Sequence, residues 1–225
     1  MTRIKGVIFD LDGTLIDSLE TYTQALNQGL AKFNLGPVSK QELADFLNQA
    51  VGLEKILQEL FPFLSEDREA RRNCLDEILR AYLEQEKKGI TLKPGCKEVL
   101  SLLQGMGLKI GIVTGRTTSG DRKWLELRRL NIDHFIDAMV TGAEAQRKPA
   151  PDGIIKCIEE LGLAAEDCIF VGDSQADIVT GKAAGVITIA IATGVAKQEA
   201  LSQEGPNAII SSLTELPSTI EEITR

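Results

Sequence analysis

Short apolar runs bounded by turn-forming residues recur along the chain and predict buried β-strands. Between the later runs, apolar residues return every three or four positions, which is the spacing of an amphipathic helix. A chain in which strand and helix alternate favours an α/β fold, with helices wound on both faces of a parallel sheet. The predicted strands are residues 4–9, 108–113, 135–140, 168–171, 186–191 and 208–210.

A long stretch with only helical spacing follows the first predicted strand. Within it, Ser39 and Glu42 form the capping-box pattern that starts a helix. We therefore expect a helical insert in the α/β domain, joined to it by two chain crossings that could act as a hinge. The predicted units are an α/β core of residues 1–15 and 91–225 and an all-helical cap of residues 16–90.

Length and composition agree with a globular protein of this kind. The chain has 225 residues, of which 43% are hydrophobic and 26% are charged, so disordered and fibrous classes are excluded. The formal net charge of −8 opposes binding to a nucleic-acid backbone or to an anionic membrane. We expect neither nucleic acid nor a membrane among its partners.

The cysteines and the first residues bear on where the protein works. The four cysteines lie far apart without a C-x-x-C pair, so we expect free buried thiols in a reducing cytoplasm. An apolar run at residues 6–9 ends at Asp10, which makes it too short for a signal sequence or a spanning segment. The predicted location is therefore the cytoplasm.

Polar residues follow four of the predicted strands, at the edge where an open α/β sheet binds its ligands. Each group alone is explained by a turn or a helix cap. Together, however, they bring four carboxylates to one edge, and these repel one another unless a cation compensates. Mg²⁺ is the hard, oxygen-liganded ion that suits such a site. The groups are Asp10 and Asp12, then Thr114-Gly115-Arg116, then Arg147-Lys148, then Asp173 and Asp177.

The order of these motifs resembles the haloacid dehalogenase superfamily, and the helical insert is similar to the small cap of its phosphoglycolate-phosphatase-like members. The resemblance implies a Rossmann-like core. It makes Asp10 the nucleophile that becomes an aspartyl phosphate. It makes Asp12 the general acid that protonates the leaving oxygen and then the general base that deprotonates the attacking water. Thr114 and Lys148 would bind the transferring phosphoryl group. The resemblance assigns Mg²⁺ to Asp10, Asp12 through its backbone carbonyl, Asp173 and Asp177. The expected substrate-binding residues are Thr114, Gly115, Arg116 and Lys148, although Arg116 differs from the residues that commonly follow this threonine in the family.

This resemblance implies a phosphatase for a small phosphorylated metabolite, with phosphoglycolate as the leading candidate. Pyrophosphate and sugar or nucleotide phosphates are the alternatives of the same class. Tyr22 stands where related sugar-phosphate mutases carry a histidine, which favours hydrolysis over isomerisation. A phospho-accepting receiver domain fits less well, because a cap interrupts the chain and Asp12 supplies a built-in base. An interaction protein with a vestigial site also fits less well, because every catalytic position is filled.

Several points stay open at this stage. Arg116 either touches the substrate or lies on the surface. Residues 49–55, around Gly52, either enter the active site or only separate two helices. The sequence does not decide between a monomer and a homodimer, nor which of Asp173 and Asp177 binds the metal directly.

Overall fold

The computed structural model of this chain describes residues 4–117 and 120–224. Its strands are β1 (Gly6–Phe9), β2 (Ile16–Asp17), β3 (Thr91–Leu92), β4 (Lys109–Thr114), β5 (Ala138–Thr141), β6 (Cys168–Gly172), β7 (Ile187–Ile191) and β8 (Ala208–Ile210). Its helices are α1 (Leu19–Ala31), α2 (Lys40–Asn48), α3 (Leu53–Leu60), α4 (Phe63–Glu66), α5 (Arg68–Lys88), α6 (Cys96–Gly105), α7 (Gly120–Leu130), α8 (Asp152–Leu161), α9 (Gln175–Ala183), α10 (Gln198–Gln203) and α11 (Leu216–Ile223).

A six-stranded parallel sheet forms the centre of the molecule, in the order β5-β4-β1-β6-β7-β8. Successive residues of β1 point to opposite faces, so Val7 and Phe9 join one apolar cluster and Ile8 joins another. Both faces are covered, which is why the strands are apolar throughout. The predicted α/β class is confirmed.

The helical insert lies between β2 and β3, which pair antiparallel as a short ribbon with Ile16 opposite Leu92. Helices α1 to α5 pack around their own apolar cluster, which includes Leu26, Leu30 and Leu57. The predicted capping box is present, because the Ser39 hydroxyl accepts from the backbone N–H of Glu42. The inserted helical cap is thus part of the observed fold.

Two details differ from the sequence-based expectation. The predicted strand 135–140 begins only at Ala138, because Asp133–Phe135 forms a 3₁₀ turn before it. In α7, Leu125 is 46% exposed, whereas Lys123 and Glu126 are buried. Apolar spacing therefore located this helix but did not identify the face that it buries.

The four cysteines are buried and free, as predicted. Across the ranges 4–117 and 120–224, no helix combines the length and the apolar character needed to cross a bilayer.

Candidate active site

Three neighbouring strands end at one edge of the sheet and deliver the first site residues. Asp10 follows β1, Thr114 is the last residue of β4, and Asp173 follows β6. The sheet order places β1 between β4 and β6. This is the point where the strand order reverses, and open α/β sheets bind ligands in the crevice there.

Asp10, Asp173 and Asp177 form a compact buried cluster. One ligand oxygen from each carboxylate lies within 4.8 Å of the others. Lys148 links two of them, because its Nζ is 2.5 Å from Oδ1 of Asp10 and 2.6 Å from Oδ1 of Asp177. The structure therefore brings together four of the residues that the sequence singled out.

Local backbone structure holds the acidic pair after β6. Asp177 lies in the first turn of α9, where its Oδ2 accepts from the backbone N–H and the hydroxyl of Ser174 as part of a capping box. Asp173 accepts a hydrogen bond from the backbone N–H of Val195 at 2.7 Å. A Cβ at Gly13, where φ is +86°, would lie 2.3 Å from Oδ2 of Asp173. Only glycine satisfies both the backbone angle and this close approach.

Burial dominates the electrostatics of the cluster. It raises the pKa of Asp10 well above its usual value, Lys148 opposes the shift, and Asp177 and Asp173 add to it. Burial, followed by the charge of Asp177, raises the pKa of Asp173 to about 7. The pKa of Lys148 is raised, because Asp10 and Asp177 outweigh its own desolvation. The positive charge of Lys148 therefore does not balance the negative charge of the carboxylates.

The donor set fits a divalent metal ion. When all three carboxylates are ionised, the one ammonium group of Lys148 leaves two negative charges in a buried space. A divalent cation balances that charge, and carboxylate oxygens are the ligands that hard divalent cations prefer. Asp10, Asp173 and Asp177 are the side chains placed to hold such an ion.

Asp12 is bound differently from the other three aspartates. Its Oδ2 accepts from Nε of Arg116 at 2.6 Å, and its Oδ1 accepts from Nη2 of the same guanidinium. Although burial acts to raise it, the pKa of Asp12 is lowered because this ion pair outweighs desolvation. The interpretation of Arg116 as a surface residue is wrong, since its side chain is only 7% exposed.

Arg116 connects the core to the cap through residues that the sequence did not single out for function. Its Nη1 lies 3.2 Å from both carboxylate oxygens of Glu126, and Lys123 pairs with the same carboxylate. Glu86 of the cap helix α5 lies 3.7 Å from Nζ of Lys123. In sequence, these charges have the spacing of ordinary surface residues, so only their common burial reveals the cluster.

The remaining predicted substrate-binding residues lie beside this pair. Thr114 is buried, and its Oγ1 accepts from the backbone N–H of Arg116 at 3.3 Å. Gly115 is exposed between them. A Cβ at Gly142 would lie 2.6 Å from the carbonyl oxygen of Gly115, so the neighbouring loop approaches its backbone closely.

The cap loop around Gly52 contacts the core next to the site. Asn48 exchanges two hydrogen bonds with Gln175, at 2.7 and 2.8 Å. A Cβ at Gly52 would lie 2.3 Å from Nη1 of Arg147, the residue before Lys148. The loop also separates α2 from α3. It therefore divides the two helices and also lies at the edge of the site.

Comparisons with known proteins agree with this arrangement. The chain is 31% identical to the phosphoglycolate phosphatase of Rhodospirillum rubrum over 204 residues, which cover 88% of this chain and 83% of the relative. It is 28% identical to the phosphoglycolate phosphatase of Escherichia coli K12, with 95% and 91% covered. A crystal structure described as a predicted phosphoglycolate phosphatase from Haemophilus somnus 129pt has a TM-score of 0.84 at 25% identity, with both chains fully covered.

The family model for haloacid dehalogenase-like hydrolases matches residues 7–191. That range runs from β1 to the end of β7 and includes the cap and all the strand ends described above. The chain therefore belongs to the haloacid dehalogenase-like hydrolases, the family that the order of its motifs resembles.

Proposed function

We propose that this chain is a Mg²⁺-dependent phosphatase that hydrolyses a small phosphomonoester through an aspartyl phosphate, with phosphoglycolate as the leading substrate. The observation that carries this proposal is the convergence of Asp10, Lys148 and the Asp173–Asp177 pair at the ends of adjacent strands. Family membership makes the chain a hydrolase. Relatives named phosphoglycolate phosphatase, matched over most of their length, support the phosphomonoester class and the choice of substrate.

In the first half of the reaction, the carboxylate of Asp10 attacks phosphorus and the bond to the ester oxygen breaks. Once Asp12 has left Arg116, which holds its pKa low, it takes up a proton from water and gives that proton to the departing oxygen. Lys148, which lies against Asp10, offsets the negative charge brought in by the phosphate. Thr114, at the end of the next strand, donates its hydroxyl to a phosphoryl oxygen. Positioning and charge stabilisation are what phosphoryl transfer mainly requires.

In the second half, water attacks the aspartyl phosphate. Asp12 accepts the proton of that water, phosphate leaves, and the carboxylate of Asp10 is restored. Splitting one difficult displacement into two easier ones is the general advantage of a covalent intermediate. Asp12 must leave its ion pair with Arg116 to reach the reacting oxygen, because Arg116 engages both of its oxygens.

Mg²⁺ would be held by Asp10, Asp173 and Asp177 together with the backbone carbonyl of Asp12. When bound, it supplies positive charge beside the transferring phosphoryl group. The protein's part is to hold three carboxylates in one buried space, next to which Asn48 of the cap binds Gln175 of the core.

Two substitutions separate the roles of the aspartates. Asp10→Asn removes the nucleophile, so turnover should vanish with every substrate. Asp12→Asn retains the nucleophile and loses proton transfer, which contributes roughly 10²–10⁴-fold to each step that it serves. With p-nitrophenyl phosphate, whose leaving group needs little protonation, Asp12→Asn should give a burst of nitrophenol and a stable phosphoenzyme.

Mass spectrometry detects the added phosphoryl group, and hydroxylamine, which attacks acyl phosphates, should remove it. The matched control is Asp76→Asn, an exposed position in α5, which should behave as the wild type. An adduct on Asp10→Asn, or wild-type turnover by either active-site variant, would contradict the assignment.

A further inference from the structure

The guanidinium of Arg116 has one edge that is suited to a carboxylate. Its Nε and Nη2 together bind both oxygens of Asp12, which is the bidentate geometry of an arginine–carboxylate pair. The Asp12 side chain that covers this edge is 23% exposed, so solvent reaches part of the residue that a ligand would have to displace. The opposite edge is taken by Glu126, which holds the arginine in place at 3.2 Å.

Two tyrosines of the cap form the wall beside this edge. The rings of Tyr22 and Tyr82 stack at 5.1 Å, and Cζ of Arg116 lies 5.2 and 5.4 Å from their centroids. The hydroxyl of Tyr82 is buried and has no hydrogen-bond partner among the described residues. Burial raises the pKa of this hydroxyl, and the charges of Arg116 and Asp12 also act on it. The Tyr82 hydroxyl is therefore an unpaired polar group beside the Arg116 guanidinium, and an oxygen of a bound ligand would satisfy it.

We infer that Arg116 recognises a carboxylate of the substrate, which replaces the Asp12 carboxylate on the same guanidinium edge. The inference rests on the proposed phosphatase function and specifies its substrate class as phosphomonoesters that carry a nearby carboxylate. The exchange substitutes one planar anion for another, so the charge balance and hydrogen bonding of Arg116 are preserved. Asp12 is thereby released to act on the reacting oxygens.

The exchange also explains how other phosphoesters are rejected. A substrate without a carboxylate must either leave Asp12 on Arg116, where it cannot transfer protons to the substrate, or leave the buried guanidinium without its partner. An unpaired buried charge is costly, and selectivity commonly arises from such a penalty against the wrong ligand. The cap tyrosines increase the penalty because they keep water from one side of the guanidinium.

The test compares phosphoglycolate with ethyl phosphate, which has the same two-carbon ester skeleton with a methyl group in place of the carboxylate. Wild-type protein should prefer phosphoglycolate in kcat/KM by about 100-fold or more, because a site built to bind a polar group rejects the analogue that lacks it. In Arg116→Gln this preference should fall by about 10–100-fold, since a charged bidentate pair is lost.

Arg122→Gln is the matched control. Arg122 belongs to the same group of charges, but it is 41% exposed and pairs with Glu86 at 3.0 Å rather than with Asp12. Its loss should change the substrate preference by less than about threefold, as for an exposed ion pair. Circular dichroism confirms that both variants are folded. Arg116→Lys keeps the positive charge but lacks the planar pair of N–H donors, so it should also lose most of the preference for phosphoglycolate.

A binding measurement gives an independent readout. By calorimetry, the non-hydrolysable 3-phosphonopropionate should bind wild-type protein about 10–100-fold more tightly than propylphosphonate, and Arg116→Lys should narrow that gap. Equal losses for both substrates in Arg116→Gln would mean that Arg116 serves only Asp12 or the cap, and would overturn the inference. So would a wild type that hydrolyses both esters equally, although the proposed phosphatase function would then stand. Failure to hydrolyse any phosphomonoester would instead refute the proposed function itself.

Discussion

The carboxyl group of Asp173 shows how a binding site can oppose folding at the level of one residue. Burial and Asp177 raise its pKa to about 7. The unfolded chain releases this proton near pH 4, whereas the folded, metal-free protein retains it up to about pH 7. The stabilisation from the bound proton is therefore present at low pH and is lost as the pH rises through 7. Above that value the charged group destabilises the metal-free fold.

Asp173→Asn should therefore stabilise the metal-free protein and abolish its response to metal. The amide oxygen can still accept from the backbone N–H of Val195, so the local structure is retained. At pH 8 in EDTA we expect a gain on the order of 1–3 kcal/mol in the free energy of unfolding. Mg²⁺ at about 100 times its Kd should add about 2.7 kcal/mol to the wild type and almost nothing to the variant.

Thermal and denaturant unfolding with and without Mg²⁺ check this prediction, with Asp76→Asn as the surface control. The same Mg²⁺ stabilisation in Asp173→Asn as in the wild type would remove Asp173 from the metal site.

Tyr82 carries the second residue-scale prediction. Its hydroxyl is buried without a partner in the described part of the chain, while its ring stacks on Tyr22. A buried unsatisfied polar group costs about 1–3 kcal/mol. Tyr82→Phe keeps the ring, so the free energy of unfolding of the ligand-free protein should rise by about 1 kcal/mol.

Thr180→Val is the contrasting control, because the hydroxyl of Thr180 is buried and donates to the carbonyl of Ala176. Removing that satisfied hydroxyl should lower stability by about 1 kcal/mol. Urea unfolding of the two variants measures both changes in stability. A loss of stability in Tyr82→Phe as large as that in Thr180→Val would show that the tyrosine hydroxyl already has a partner.

At the scale of elements, the loop between α2 and α3 contacts the core on both sides of the site. Asn48, at the end of α2, binds Gln175 at the start of α9. Gly52, before α3, lies against the guanidinium of Arg147. The end of α2 and the loop after it therefore touch residues that are two positions after Asp173 and one before Lys148, so a small change in this loop should affect catalysis more than folding.

Gly52→Ala tests this relation. The backbone at Gly52 has φ −72° and ψ 150°, which alanine adopts freely. The new methyl group would displace the tip of Arg147, a flexible side chain, so stability should stay within about 0.5 kcal/mol of the wild type. We expect kcat/KM for phosphoglycolate to fall roughly 3–30-fold, by analogy with other small displacements at a site.

Gly36→Ala, in the loop between α1 and α2, is the matched control because no atom of the described part of the chain lies within 4 Å of its added Cβ. Steady-state kinetics and thermal unfolding of both variants decide the matter. Kinetic constants that coincide for the two variants would show that the loop around Gly52 has no part in the reaction.

Some elements could be predicted from sequence and others could not, for physical reasons. Strand β1 and the acidic residues that follow strands were predictable, because apolar runs and strand ends are local features. The start of β5 was not, since Phe135 is apolar but belongs to a 3₁₀ turn. The ion pair of Asp12 with Arg116 was also missed. It joins residues 104 positions apart, and two tyrosines of the cap lie against its guanidinium.

At the scale of the whole molecule, the cap and the core are separate apolar units joined by polar contacts. Among the described residues, the cap cluster, with Leu26, Leu30 and Leu57, has no member in common with the clusters on either face of the sheet. Between them lie charged and polar contacts such as Glu86 with Arg122 and Asn48 with Gln175. Interfaces of this kind allow domains to move, so opening and closing of the cap about the β2–β3 ribbon is the expected motion.

The core should consequently fold without the cap. Deleting residues 19–88 and joining Ser18 to Gly89 leaves Asp17 paired with Thr91 across a three-residue hairpin loop. Gly89 already has a φ of +106°, which suits a tight turn. The buried residues on both faces of the sheet remain, so we expect cooperative unfolding and an α/β circular dichroism spectrum.

This capless protein should separate the catalytic reaction from the selection of the substrate. Asp10, Lys148, Asp173 and Asp177 all belong to the core, so Mg²⁺-dependent hydrolysis of p-nitrophenyl phosphate should persist. Losing the cap admits water to Arg116 and removes Tyr82, and a solvated guanidinium discriminates poorly between ligands. The preference for phosphoglycolate over ethyl phosphate, measured as a ratio of kcat/KM values, should therefore fall about 10-fold or more. An unchanged preference would show that the core alone selects the substrate and that the cap serves another purpose.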